Sequence, residues 1–214
     1  GVVSIIKPTD GCALGNSDSV SVNITNAGTT AMSNVTISYQ LNGGTTVTQT
    51  IAGPINSGDT IPFTFNTTVN LSTFGSYNLV VYVTLANDLN QINDTIRSTF
   101  QNIPLVSTLP YSEGFESGPG GWTTYGANSS WSHGTPAASY ITSAAAGTGA
   151  WVTNLLGDYN NNELAYLESP CFDLSTYTVD PTIYFSHMFN PKKTYILKKN
   201  IQRQKGLLLT NDLN

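Results

Sequence analysis

Histidine, cysteine and charge are what this 214-residue chain has least of: two His, two Cys and 10% charged residues. His133 and His187 lie in no H-E-x-x-H pattern, and no G-x-S-x-G elbow occurs, so the common metallopeptidase and serine-hydrolase signatures are missing. Cys12 and Cys171 are too few for a disulfide scaffold or a zinc cage; one bridge between them is open, although they fall in what read as different domains. Cationic side chains are scarcer still. Of eight Lys and Arg, six (Lys192, Lys193, Lys198, Lys199, Arg203 and Lys205) crowd the last 23 residues, leaving Lys7 and Arg97 for the rest. A net charge of −5 argues against nucleic acid, whose binding needs a basic surface that releases counterions. No run of about 18 apolar residues occurs, so no membrane-spanning helix is expected. The chain opens at Gly1 without a basic segment and apolar run, which suggests a processed product or an excised fragment.

What is present is β-branched residues, turn formers and alternation. Val20, Val22 and Ile24 share one side of "DSVSVNITN", and Val35, Ile37, Tyr39 and Leu41 share one side of "NVTISYQL". "LNGGTT" follows as a hairpin turn, with Gly43 and Gly44 able to take positive φ. Val47 and Ile51, then Ile61, Phe63 and Phe65, then Tyr77 to Leu85, then Ile96 and Phe100 continue the period of two. With "VVSII" this makes about seven strands in roughly 100 residues, the count and spacing of an immunoglobulin-like sandwich of two antiparallel sheets.

"PTDGCALGNSDSVSVNITNAGTTAMSNVTISYQLNGG" followed by "ANDLNQINDTI" resembles the CARDB-type adhesion module of secreted bacterial proteins over residues 3–100. The resemblance rests on N-x-G and N-x-x-N-D landmarks and implies a spacer or adhesive role rather than catalysis. Residues 1–103 are therefore expected to form one domain and 104–110 a linker, within a stretch from 101 where Pro104 and Pro110 break any strand. Beyond it Trp122, Trp131 and Trp151 stand among Gly-, Ser- and Ala-rich loops. Strands are expected at 150–155, 164–169 and 182–189, within a second all-β domain over 111–190. "LPYSEGFESGPGGWTTYGANSSWSHGTP", "GAWVTNLLGDYNNNELAYLESPCFDLS" and "TIYFSHMF" resemble the MAM-like jelly-roll of choice-of-anchor and cleaved-adhesin modules, lacking its later strands. The fold class expected is all-β: an immunoglobulin-like sandwich followed by a partial jelly-roll. After Phe189 composition and resemblance fail together, leaving an atypical basic tail at 191–214. It reads as a frameshifted or misbounded end, a solvated end or a basic amphipathic helix, the first fitting best. A jelly-roll cut short there leaves open strand edges and an uncovered face.

Glu113 and Glu116 lie too close together in a turn-rich stretch for a glycosidase pair. Calcium is the better chemistry, since hard cations gather several oxygens. The MAM-like resemblance implies a structural calcium on Glu113, Glu116 and Asp173, tying the first strand to a later one. Asp158, Asn160, Asn162 and Glu163 in "GDYNNNE", and Asp88, Asn90, Asn93 and Asp94 in the earlier turn, read instead as polar turns in which Asn and Asp bond their own backbone. Trp122, Tyr125, Trp131 and Tyr140 could stack on a pyranose as a glycan surface, or fill the core. Ser19, Thr60 and Thr95 follow Asp and precede an apolar residue, similar to the O-glycan acceptor of bacteria with type IX secretion; Asn34 and Asn66 head Asn-x-Ser/Thr sequons.

The function expected is a noncatalytic, secreted or cell-surface module that binds extracellular protein or glycan, with possible structural calcium and no nucleic acid. The alternative is an accessory region of a secreted protease whose catalytic domain lies upstream; a third is a rigid stalk.

Overall fold

The computed structural model describes residues 1–85, 88, 91–188, 196–200 and 208–212, for residue 91 and the last two stretches the backbone alone. The chain is all-β, its one helical element among the described residues being a single 3-10 turn, Gln91–Asn93. It divides into two units, Gly1–Ile103 and Pro104–Asn214.

Among the described residues the first unit has eight strands: β1 (Val2–Lys7), β2 (Gly11–Cys12), β3 (Ser21–Thr25), β4 (Val35–Leu41), β5 (Val47–Ile51), β6 (Thr60–Thr64), β7 (Gly75–Thr84) and β8 (Thr95–Ile103). They form a three-stranded sheet ordered β1-β3-β6 and a five-stranded sheet ordered β2-β8-β7-β4-β5. Seven of them are the strands that alternation announces. The two-residue β2, parallel to the end of β8, is added to these. Register follows the apolar pattern, with Ile24 opposite Ile61 on β3–β6, and Ile37 opposite Val83 and Tyr39 opposite Val81 on β4–β7. The inward residues of both sheets make one core in which Val20, Val22, Ile37, Leu79 and Val81 are fully enclosed. Each such side chain contributes roughly 1.5–3 kcal/mol relative to exposure. Tyr39 meets Phe65 edge-on, ring centroids 4.7 Å apart.

Two details depart from the sequence reading. The β4–β5 turn carries positive φ at Asn42 and Gly43 (51° and 67°), not at Gly44, whose N–H closes the turn on the Leu41 carbonyl at 2.9 Å. Both central residues of a type I′ turn need φ > 0, and Asn-Gly supplies them. Ile55, Val69 and Leu71, outside every strand, are as buried as the strand residues and belong to the same core.

A buried carboxamide explains the N-x-G landmark. Asn26 Nδ2 donates to the carbonyls of Thr30 (2.8 Å) and Ile55 (2.9 Å), while its Oδ1 accepts from Gly28 N–H (3.0 Å). One side chain thus satisfies three backbone groups where the chain leaves β3. Asn102 does the same at the far end, accepting from Leu14 N–H at 2.7 Å and donating to the Leu71 carbonyl at 2.7 Å.

The second unit contains β9 (Leu105–Val106), β10 (Thr123–Ala127), β11 (Trp131–Gly134), β12 (Ala150–Thr153), β13 (Leu164–Glu168), β14 (Cys171–Phe172), β15 (Ile196–Asn200) and β16 (Leu208–Asp212). Their sheets are a four-stranded β10-β13-β16-β15, the pair β11-β12 and the parallel pair β9-β14. The expected strands at 150–155 and 164–169 correspond to β12 and β13; β10 and β11 are additional, in short glycine-containing sequence that shows no clear alternation. Residues 182–188 are not a strand: Tyr184, Phe185 and Met188 are exposed, so the alternation of "TIYFSHMF" has no face to cover, and Phe189 lies outside the described residues. The stretch read as a linker also differs. Gln101 to Ile103 complete β8, and Leu105 and Val106 pair with Cys171 and Phe172, so Pro104 interrupts pairing for one residue only. Of the basic tail, Lys198 and Lys199 fall in β15, which pairs with β16, itself paired with β13. Lys192, Lys193, Arg203 and Lys205 lie outside the described residues. Neither cysteine is free: Cys12 and Cys171 are both disulfide-bonded.

Candidate functional site

Aromatic side chains organise the second unit. Phe115 meets Trp122 edge-on at 5.6 Å and faces His133 at 6.4 Å; His133 lies 5.7 Å from Trp151; Tyr111 packs edge-on against Phe172 at 5.1 Å. Polar edges knit the rings together. The His133 ring is 2.8 Å from the Phe115 carbonyl through Nε2, the Trp122 indole donates to the Tyr111 hydroxyl at 3.4 Å, and the Trp151 indole donates to the Pro119 carbonyl at 3.2 Å. Burial raises the Tyr111 pKa, opposed by the hydrogen bond from Trp122.

The four aromatics considered for a glycan surface stand in four settings. Trp122 is half-buried in this cluster. Tyr125, on β10, stacks on Tyr166 across the β10–β13 pair, ring centroids 4.9 Å apart and planes 18° from parallel. Trp131 is half-buried on β11, with its indole nitrogen enclosed and without a hydrogen-bond partner. Tyr140 stands in the long loop after β11, 57% exposed. Tyr125 and Tyr140 are thus the more exposed of the four, and Trp122 and Trp131 the more buried.

The three carboxylates proposed for calcium are each engaged locally. Glu116 reaches across to the loop before β12, accepting from Thr148 N–H (3.0 Å), Thr148 Oγ1 (3.0 Å) and Gly149 N–H (2.8 Å). Those donors, Gly149 foremost, hold its carboxyl below the ordinary glutamate range. The loop can come so near because position 149 is glycine: a Cβ there would collide with the Phe115 carbonyl. Asp173 is lowered by the hydroxyl and then the N–H of Ser175, the latter 2.9 Å away. Glu113 accepts from Phe115 N–H at 2.6 Å. Among the described residues no group of three or more His, Cys, Asp or Glu is placed to hold a metal ion.

The Glu116 clamp carries a pH dependence whose sign follows from its depressed pKa. The stabilisation is in place above the pKa of an unperturbed glutamate, about 4.3, and is lost as pH falls through the lower folded value. The amide proton shifts of Thr148 and Gly149, followed by NMR, should titrate with a midpoint below that of free glutamate.

Glu163 is the carboxylate that sequence reading undervalued. It is 2% exposed and accepts from Ser130 N–H (2.8 Å), Ser130 Oγ (2.6 Å) and Asn160 N–H (3.2 Å). Around it Asn160 Nδ2 donates to the Asn128 carbonyl and Asn128 Nδ2 to the Asn161 carbonyl. The "GDYNNNE" segment is therefore a polar turn that bonds its own backbone and the β10–β11 turn. In the first unit, Asp94 is 8% exposed with Oδ1 unpaired; burial and then the Asp88 carboxylate raise its pKa, against the Gly1 ammonium. Of the modification candidates, Thr60 is exposed at the start of β6, whereas Ser19 and Thr95 are half-buried.

Comparison with known proteins bears on the first unit. The CARDB family model matches residues 2–95, under half of the chain. Among solved structures, the chain is similar to the CARDB domain of a Pyrococcus furiosus protein in complex with di-metal ions, at 16% identity and a TM-score of 0.33, covering 46% of this chain and 88% of that one. It is also similar to the CsuC–CsuE chaperone–tip adhesion subunit pre-assembly complex of the archaic chaperone-usher Csu pili of Acinetobacter baumannii, at 13% identity and a TM-score of 0.26, covering 78% of this chain and 93% of that one. No curated protein matches the chain.

Proposed function

We propose that this chain is a noncatalytic adhesion module, secreted or held at the cell surface, that recognises extracellular protein or glycan. The observation carrying the reading is the match of residues 2–95 to CARDB, a noncatalytic β-sandwich family, with the alternating core of the first unit. The disulfide-bonded state of both cysteines supports an oxidising compartment, since such bonds persist mainly outside the cytosol. In this reading the second unit is the MAM-like partner of the CARDB module, with Tyr140 its most exposed candidate aromatic, and Thr60 is the most accessible of the three O-glycan acceptors. Calcium does not enter the proposal, because among the described residues Glu113, Glu116 and Asp173 do not gather into a group placed to hold a metal ion.

The test is a panel of immobilised glycans and extracellular matrix proteins probed with the full chain. Saturable binding to at least one member at micromolar concentrations is expected. Absence of binding across the panel would leave the rigid-stalk reading in its place.

A further inference from the structure

The first unit carries a cleft of about 370 Å³ where the β4–β5 turn meets the segment leading into β7. That volume falls within the range of small-ligand sites, about 300–1,000 Å³. Its lining includes Leu41, Asn42, Asn70, Phe74, Ser76 and Tyr77, and no charged side chain contributes to it. Phe74 is 57% exposed, although the segment bearing it is tied down on both sides. Leu71 is fully buried, its carbonyl takes Asn102 Nδ2 at 2.7 Å, and the Thr73 carbonyl takes the Tyr77 hydroxyl at 2.7 Å. A phenyl ring presented to water on an anchored segment is held in place before any partner arrives.

The neighbouring carboxamides are fixed in orientation by what they accept. Asn42 Oδ1 accepts from Asn78 N–H at 2.8 Å, and Asn70 Oδ1 accepts from Ser72 N–H (3.0 Å) and Oγ (2.7 Å). An oxygen that accepts an N–H must be the carbonyl oxygen, so each Nδ2 amide is turned the other way, with its two protons unspent. The cleft therefore offers one aromatic face and spare N–H donors in a neutral setting. A pyranose has the matching surface: a C–H face that packs on a ring and hydroxyl oxygens that accept from amides. A sulfated or uronic-acid glycan finds no cation here, and a protein partner would need a far larger contact, about 1,200–2,000 Å² in total.

We propose that this cleft is a carbohydrate site that seats a neutral hexopyranose on Phe74, with Asn42 Nδ2 and Asn70 Nδ2 donating to its hydroxyls. The site deepens the reading of the chain as a binding module and rests on it.

The test is a ¹H–¹⁵N NMR titration of the full chain with neutral hexasaccharides of glucose, mannose and N-acetylglucosamine, and a sulfated heparin hexasaccharide as charged control. Saturable shifts are expected for the Asn42 and Asn70 side-chain amides and the backbone of 73–76 with at least one neutral sugar. Phe74→Ala should weaken that binding about tenfold or more, and Asn70→Asp, which removes the donor, should weaken it too; neither should move the melting temperature. Response to the heparin fragment alone, shifts confined to the Tyr125 and Tyr140 region, or unchanged affinity in Phe74→Ala would overturn the cleft while leaving the adhesive reading intact. Silence to all four sugars would overturn the cleft as well, and the adhesive reading then stands or falls with the protein members of the panel.

Discussion

Asn26→Leu should lower the stability of the first unit by about 3 kcal/mol. The side chain is 1% exposed and serves three backbone groups at once, of which the Ile55 carbonyl has the least access to water, Ile55 itself being fully buried. Leucine matches the carboxamide in size, so the change removes hydrogen bonds without opening a cavity. An orphaned buried carbonyl costs roughly 1–3 kcal/mol. Gly28 N–H and the Thr30 carbonyl, nearer the surface, add a smaller share by loosening the turn. For a unit of about 100 residues this corresponds to a fall in midpoint of roughly 12–20 °C. The three tryptophans all lie beyond residue 104, so tryptophan fluorescence is blind to the first unit, and the loss is read from the β3, β4 and β7 amides by hydrogen exchange. An Asn26→Leu chain with unchanged exchange protection would mean that the N-x-G landmark has no structural role.

The second large effect is at Glu163. Its carboxylate takes two donors from Ser130 and one from Asn160 in a setting that leaves it 2% exposed. Hydrogen bonds to a charged group contribute about 1.5–3 kcal/mol each when made, and stranded donors cost a comparable amount. Glu163→Ala is expected to destabilise the second unit by about 3 kcal/mol, after the partial rescue of Ser130 by water. Glu163→Gln should cost less, about 1–2 kcal/mol, because its carbonyl oxygen still accepts Ser130 N–H and the hydroxyl rotates to accept from the amide, while Asn160 N–H faces that amide and loses its acceptor. Here tryptophan fluorescence is the right probe, since Trp122, Trp131 and Trp151 all report the second unit. Urea midpoints in the order wild type, then Gln, then Ala are expected. Equal midpoints would mean that the turn is held by its asparagines alone.

The two units differ in how much of them is legible in sequence, and for a physical reason. In the first, strands such as β3 and β7 have one face in the core and one in water. Val20, Val22 and Ile24, or Tyr77, Leu79, Val81 and Val83, therefore declare both the strand and its buried side. Ile55, Val69 and Leu71 are as buried, but a single apolar residue in a loop has no period to reveal it. The β4–β5 turn was located correctly and its positive-φ residues misplaced by one, because Asn takes left-handed φ as Asn42 does and three candidates stood in a row.

In the second unit the described strands are two to five residues long, and β10 and β11 carry small residues such as Gly126, Ala127, Ser132 and Gly134, so alternation is too brief to separate these two from loop. "TIYFSHMF" shows the opposite failure, a good alternating pattern in a segment with no face to pack on. Its period of two reports what the residues could cover, not whether a sheet is there. Glu163 was legible as part of a polar turn but not as its buried centre, since an acidic residue is by default assigned to the surface. The Phe74 cleft left no signal, because the carboxamides of Asn42 and Asn70 are oriented by bonds made at a distance in sequence or within a local turn.

The proposed binding without catalysis is tested by what becomes of the ligand. The full chain is incubated with each glycan and matrix protein of the panel, any complex is isolated, and the ligand is eluted and weighed by mass spectrometry. Stoichiometric recovery of the ligand at its original mass, after many times the lifetime of the complex, is the predicted result. A shortened or otherwise altered ligand, formed in amounts exceeding the protein, would make the chain an enzyme and contradict the claim.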